Sequence, residues 1–181
     1  MESVNTIPEF FILPVHNWHD NITREIVSQL YHRTKGEKLD YIFEGSIISE
    51  ADFTHAMHDG NTLFFILYHM GITVGYVWVD GFVGRSCFIH FCFFRDFWGS
   101  RTVTFGHNVM QFLFDSYEFE MIGGLVPVTN GFALKYANQV MNRVGYFPKS
   151  IYNPETDEHK DAVLYSLCKG EVKDGKQTET A

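Results

Sequence analysis

Hydrophobic and polar positions divide the chain into short runs of two periods. Glu9 to Val15 is apolar and extended, with Pro8 and Pro14 at its ends, and predicts a first strand. After Asp20 and Asn21, good helix caps, Ile22, Ile26 and Leu30 recur at helical spacing beside Val27 and Tyr31, up to Gly36. Ser49 followed by Asp52 has the spacing of a capping box and starts a shorter helix, which Asp59-Gly60-Asn61 stops. The period then changes. Leu63 to Tyr68, Ile72 to Asp80 and Ser86 to Phe94 are aromatic and β-branched runs, separated by Gly71 and by Gly81 to Gly84, and predict three successive antiparallel strands.

Arg95 to Arg101 reads as a polar, glycine-containing loop. Val103, His107, Met110 and Phe114 mark one face of a helix, and Phe105, Val109 and Phe112 leave it little polar surface. Phe119 to Val126, ending at Pro127, predicts a further strand. Asn130 caps a predicted helix carrying Ala133, Tyr136, Ala137, Val140, Met141 and Val144, closed by Gly145. Ala162 to Leu167 predicts the last strand. The expected organisation is one domain over 1–169 and a disordered, charged tail over 170–181. The strand, loop, helix, strand, helix section from Ser86 to Val144 implies a right-handed crossover within a mixed sheet, so the fold class is mixed α/β.

Composition narrows the function classes. The 181 residues include 18 Phe, 9 Tyr and 3 Trp, a 17% aromatic share that argues for thick sheets and an apolar cleft and against a coiled coil or low-complexity scaffold. A formal net charge of −8, with no basic run, makes nucleic acid an unexpected partner. Three cysteines, Cys87, Cys92 and Cys168, are an odd number and too few for a disulfide scaffold, so a reducing, cytoplasmic setting is expected. There is no apolar run of membrane-spanning length, and no membrane association is expected.

The element order and its motifs resemble the GNAT superfamily of acyl-CoA-dependent N-acyltransferases over roughly Phe53 to Leu167. The stretch from Phe93 to Val103 is similar to that family's strand followed by Q/R-x-x-G-x-G/A, and Phe97-Trp98-Gly99 matches the opening of the form found in enzymes that modify protein N-termini. Leu125-Val126-Pro127-x-x-Asn130-x-x-Ala133 resembles the family's strand-to-helix junction, and Val144-Gly145-Tyr146 its helix-closing x-G-F. Arg101 and Val103 stand where the family has small residues. The helix from Asn130 to Gly145 is about one turn longer than the family norm, taking about 3.6 residues per turn, and the family's acid tyrosine falls on Ala137, beside Tyr136.

The resemblance implies a central, mostly antiparallel sheet flanked by helices, acetyl-CoA or a related acyl-CoA as co-substrate, and acyl transfer to an amine-bearing small molecule or a protein N-terminus. It places the cofactor against Phe91, Cys92, Phe93, Trp98, Gly99, Ser100, Arg101, Thr102, Val103 and Asn130. Backbone N–H groups at a helix N-terminus bind phosphate well, and a guanidinium such as that of Arg101 offers a charge-assisted substitute for close backbone contact. His90 and Glu120 are candidate bases, and Tyr136 and Tyr146 candidate acids. In general texture the chain also resembles a small phage family associated with head assembly that contains a GNAT-like core. That likeness implies a structural or interaction role and predicts a stable complex or homo-oligomer. Cys87, His90 and Cys92 invite a metal reading, but strand alternation puts Cys87 on the opposite face from the other two, so no metal site is expected. No thiolate-activating group accompanies Cys92, so it is not expected to act as a nucleophile.

Overall fold

The computed structural model describes residues 9–16 and 20–172. Seven strands form one sheet: β1 (Phe10–Pro14), β2 (Leu63–His69), β3 (Ile72–Val83), β4 (Ser86–Phe93), β5 (Met121–Pro127), β6 (Asn142–Asn153) and β7 (Glu158–Cys168). Their spatial order is β1-β2-β3-β4-β5-β7-β6, and every neighbouring pair is antiparallel except β4 and β5. Four helices accompany them: α1 (Asn21–Gly36), α2 (Glu50–His58), α3 (Ser100–Ser116) and α4 (Gly131–Val140).

The helix starts follow from local chemistry. Asp20 caps α1 by accepting from the Ile22 N–H, and Ser49 and Asp52 form the reciprocal capping box that opens α2. Asn130 caps α4, its Oδ1 accepting from the Ala133 N–H at 3.1 Å. The three consecutive central strands lie where the aromatic runs predict them, and alternation sends their side chains to two different cores. On one face Phe65, Val77, Val79, Ile89 and Phe93 pack with Phe105, Val109, Met110 and Leu113 of α3. On the other, Phe64, Ile66, Tyr76, Trp78, Cys92 and Phe94 pack with Val27 and Leu30 of α1 and Phe53 and Met57 of α2.

One element differs from expectation. The helix predicted from Asn130 to Gly145 ends at Val140, and the chain turns at once into the twelve-residue strand β6. The helical spacing of Met141 and Val144 is coincidental: Met141 is the C-cap, and Val144 is exposed on the strand. Pairing with β7 wins because Val144, Tyr146, Phe147, Ile151 and Tyr152 are good strand residues. The apparent extra helical turn is therefore strand, and Pro148 is tolerated because β6 lies at the sheet edge. The tail expected from residue 170 is described only as far as Val172, which packs against the α3-side core. Residues 173–181 lie outside the described part. Among the described residues no helix is long and apolar enough to cross a membrane.

Candidate functional site

The parallel pair β4 and β5 is short. Register pairs run only from Ser86↔Met121 to Phe88↔Gly123, after which the two strands part. The gap between Ile89–Phe93 and Gly124–Pro127 opens into two cavities. The first, about 610 Å³, is a groove between the start of α3 and one face of α4, with Leu39, Tyr41 and Ile42 at its side. The second, about 830 Å³, lies toward α2 and is bounded by residues of β3, β4, β5 and the segment after α1. Ile42, Phe91, Asn130, Ala133 and Tyr136 line both, so the cavities adjoin there.

The groove gathers nine of the ten residues expected to hold a cofactor: Phe91, Cys92, Phe93, Trp98, Gly99, Ser100, Thr102, Val103 and Asn130. Arg101 is the exception. Its guanidinium lies 5.2 Å over the Phe97 ring, and it does not line the groove. The helix start beside it is open: Gly99 is the N-cap of α3 and has no side chain to satisfy the first-turn N–H groups. Its φ of +133° suits glycine alone, and nothing stands within 4 Å of where a Cβ would be. The Thr102 N–H donates to the Gly99 carbonyl at 3.1 Å, and no capping side chain faces the other first-turn N–H groups, an arrangement whose dipole suits an anion.

Tyr136 stands between the two cavities. Its ring meets Phe91 and Phe93 edge-on, at 5.4 and 5.8 Å. Its hydroxyl is buried with no hydrogen-bond partner among the described residues, and that burial pushes its pKa well above the ordinary tyrosine value. The oxygen rests against Gly106 of α3, where a Cβ would overlap it. Alanine usually stabilises a helix interior by about 1 kcal/mol over glycine. Here Gly106→Ala is expected to destabilise the protein by about 1–3 kcal/mol through overpacking, as read from urea denaturation. A gain in stability would mean that Tyr136 is not seated there.

In the larger cavity His90 Nε2 lies 3.1 Å from Asp80 Oδ1, and the imidazole stacks on Trp78 with centroids 4.6 Å apart and planes within 3°. A carboxylate only accepts, so Nε2 carries the proton and Nδ1 is left as the basic nitrogen. Asp80 reaches this position through a bulge. Continuing the Val83↔Ser86 pairing without a break would set Val79 opposite His90 and turn Asp80 to the other face. The register shift between Asp80 and Val83, with Gly81 at φ +58°, sets Trp78 opposite His90 instead. Glu44, Asp52, Asp59 and His55 also line this cavity.

The remaining candidates are elsewhere. Glu120 precedes β5 at the end where β4 and β5 are still paired, and it forms an exposed ion pair with Arg85 at 2.9 Å. Tyr146 is on β6, its hydroxyl donating to the Asp161 carboxylate. Neither lines either of the two cavities described. The Cys92 thiol points to the α1 side, near Thr34 and Tyr76, and burial pushes its pKa to about 12. Burial does the same to Cys87, while Cys168 is exposed. N-ethylmaleimide at pH 8 is therefore expected to modify Cys168 alone in the native protein. Intact-mass measurement checks this, and a second rapid adduct without denaturant would contradict it. Cys87 does lie on the face opposite His90 and Cys92, as alternation requires.

No protein-family model and no curated protein matches the sequence. Solved structures do match the fold. RimL, a ribosomal L7/L12 alpha-N-protein acetyltransferase, superimposes in its apo form with a TM-score of 0.72 at 10% identity, over 92% of this chain and 94% of that one. Spermidine N-acetyltransferase from Vibrio cholerae, in complex with CoA and spermine, gives 0.69 at 13% identity, over 91% and 98%. The microcin C7 self-immunity acetyltransferase MccE, in complex with acetyl-CoA and AMP, gives 0.67 at 14%, over 90% and 94%. The chain has the fold of GNAT acetyltransferases.

Proposed function

From that fold and the two adjoining cavities, we propose that the protein is an acyl-CoA-dependent N-acyltransferase that moves an acetyl group to a primary amine. The observation that carries this reading is the adjacency of the spaces. A groove with an uncapped helix start at its mouth adjoins, at the parted strands, a second cavity that holds a hydrogen-bonded histidine. The residues present fit an acyl-CoA: the open helix start at Gly99, an apolar wall of Phe91 and Phe93, and the Tyr136 ring between the two spaces.

When bound, the coenzyme supplies an acyl carbon activated as a thioester. His90 is the base: Nδ1 takes the proton that an ammonium must lose before its nitrogen can attack, while Asp80 holds Nε2–H. As the carbon–nitrogen bond forms and the carbon–sulfur bond breaks, the attacking nitrogen gives up its second proton, which goes to the departing sulfur. The Tyr136 hydroxyl, an expected acid, is fully buried against Gly106 of α3, so the residue serves as wall and not as the proton donor. Asn130 lies at the junction with its Oδ1 committed to the α4 cap, and so fixes the wall against which the acyl group would rest. Among the described residues four carboxylates line the larger cavity; Lys160 pairs with Glu44 and His90 with Asp80, and Asp52 and Asp59 remain to favour a cationic acceptor.

The RimL, spermidine N-acetyltransferase and MccE structures support the reaction class without selecting the acceptor. The test is incubation with acetyl-CoA and a panel containing polyamines, peptides with free N-termini and aminoacyl nucleotides, with released CoA thiol as the readout. Amine-dependent thiol release abolished by His90→Ala supports the reading. Release that is independent of His90, or that no amine stimulates, contradicts it.

A further inference from the structure

One buried side chain of the larger cavity has no part in the transfer just described. Trp78 of β3 stands directly opposite His90 of β4 in the strand register, so both rings rise from the same face of the sheet. The register shift that brings Asp80 to His90 also brings Trp78 there, so one irregularity supplies both neighbours. Trp78 is only 8% exposed and packs against Phe43 and Tyr76, with ring centroids 6.2 and 6.1 Å away. His90 is held less firmly by its own bonding. It is half-buried, and Asp80 restrains it at one atom, Nε2. The torsion that turns an imidazole about its Cβ–Cγ bond is broad, and a hydrogen bond at the far nitrogen tolerates a range of ring angles. The indole removes that freedom: the two planes lie within 3° of parallel, with centroids 4.6 Å apart.

We propose that Trp78 is the positioning residue of the base: its indole face sets the plane of the His90 ring, and with it the direction of the Nδ1 lone pair. The assignment rests on the reading of His90 as the base and names a residue on which that base depends. The Nδ1 lone pair lies in the ring plane, so a turn of the ring carries it away from the amine. A misplacement of about 1 Å in a reacting group can cost about 100-fold in rate. Holding the amine is a separate matter. The carboxylates left for a cation, Asp52 and Asp59, belong to α2 and its C-cap, so loss of the indole should fall on kcat and not on KM.

The experiment compares the full chain with its variants by released CoA thiol, using the best amine of the panel. Trp78→Leu is expected to lower kcat about 10- to 100-fold, with the amine KM little changed. Trp78→Phe, which keeps a flat ring, should recover most of that loss. Phe53→Leu is the control for packing alone: it lies in the same core as Trp78 and should lose stability but not kcat. The stack also has a signature in proton NMR that needs no turnover. The His90 ring protons, assigned by their absence in His90→Ala, should be shifted upfield in the parent by the indole face, and should return toward ordinary imidazole values in Trp78→Leu. If Trp78→Leu does not fold, Trp78→Met takes its place, because its flexible chain fills irregular space without a ring. The proposal is overturned if the parent shows no upfield shift, if the folded variant without a ring keeps the parental kcat, or if Phe53→Leu loses kcat equally. A parent in which no amine stimulates thiol release would overturn the acyl-transfer reading itself, and the role of Trp78 with it.

Discussion

His90→Ala is expected to lower the rate of acyl transfer by roughly 100- to 10,000-fold, the range typical for loss of a general base, while CoA affinity and the fold stay as they are. The imidazole is hydrogen-bonded to Asp80 and stacked on Trp78, but it is half-buried at the cavity wall. Its removal should therefore cost chemistry far more than stability. Glu120→Ala is the natural control. Its carboxylate pairs with Arg85 at the closed end of the β4–β5 pair, and an exposed ion pair contributes about 0–1 kcal/mol. Turnover should not change in that variant. The measurement is kcat/KM with the best amine of the panel; equal losses in the two variants would place the base elsewhere.

The largest stability effect is expected at Phe53. This residue of α2 is fully buried, and its ring meets those of Tyr31, Phe43, Phe64 and Tyr76 at centroid distances of 5.5 to 6.1 Å. It is the point at which α1, α2, the turn after α1 and the sheet all touch one side chain. Phe53→Ala should cost about 3–5 kcal/mol, the sum of lost transfer energy and the cavity left behind. Against a usual total of about 5–15 kcal/mol, that is enough to shift a denaturation midpoint strongly. Urea unfolding followed by circular dichroism measures it. A loss below about 1 kcal/mol, the scale of a conservative exposed change, would mean that the α2-side core is not packed as described.

The two effects arise on the same face of the sheet, where the aromatic share of the sequence is spent in two ways. Phe53, Phe64 and Tyr76 fill a core and Trp78 forms a surface for His90, whereas Phe91, on the opposite face, is a wall shared by two cavities. The sequence already implies a groove from its aromatics. What it leaves open is which rings fill space and which border it, because that depends on where β4 and β5 stop pairing.

Features set by neighbouring residues were legible in the sequence. The caps at Asp20, Ser49 and Asn130 and the three aromatic strands follow from spacing alone, and so does the separation of Cys87 from His90 and Cys92. Features set by long-range pairing were not. β6 was hidden because Met141 and Val144 continue the spacing of α4, and only β7 decides in favour of a strand. Asp80 was hidden because a one-residue bulge at Gly81 reverses which face it occupies. Its one local signal is a carboxylate ending an aromatic, β-branched run. Arg101 was drawn toward the groove by motif position, yet an exposed guanidinium finds the Phe97 ring on its own side of the helix start. On β3, Trp78 carries no motif, and its place against His90 is visible only once β4 is paired with it.

The central claim is that the space between β4 and β5 holds a coenzyme A, and calorimetric titration of the unmodified chain with CoA tests it most directly. Saturable binding at one site per chain, weakened by salt as expected for phosphates at the α3 N-terminus, is the predicted result. A correctly folded protein that gives no heat and no saturable change would contradict it. The fold would then serve as a scaffold for interaction and not for acyl transfer.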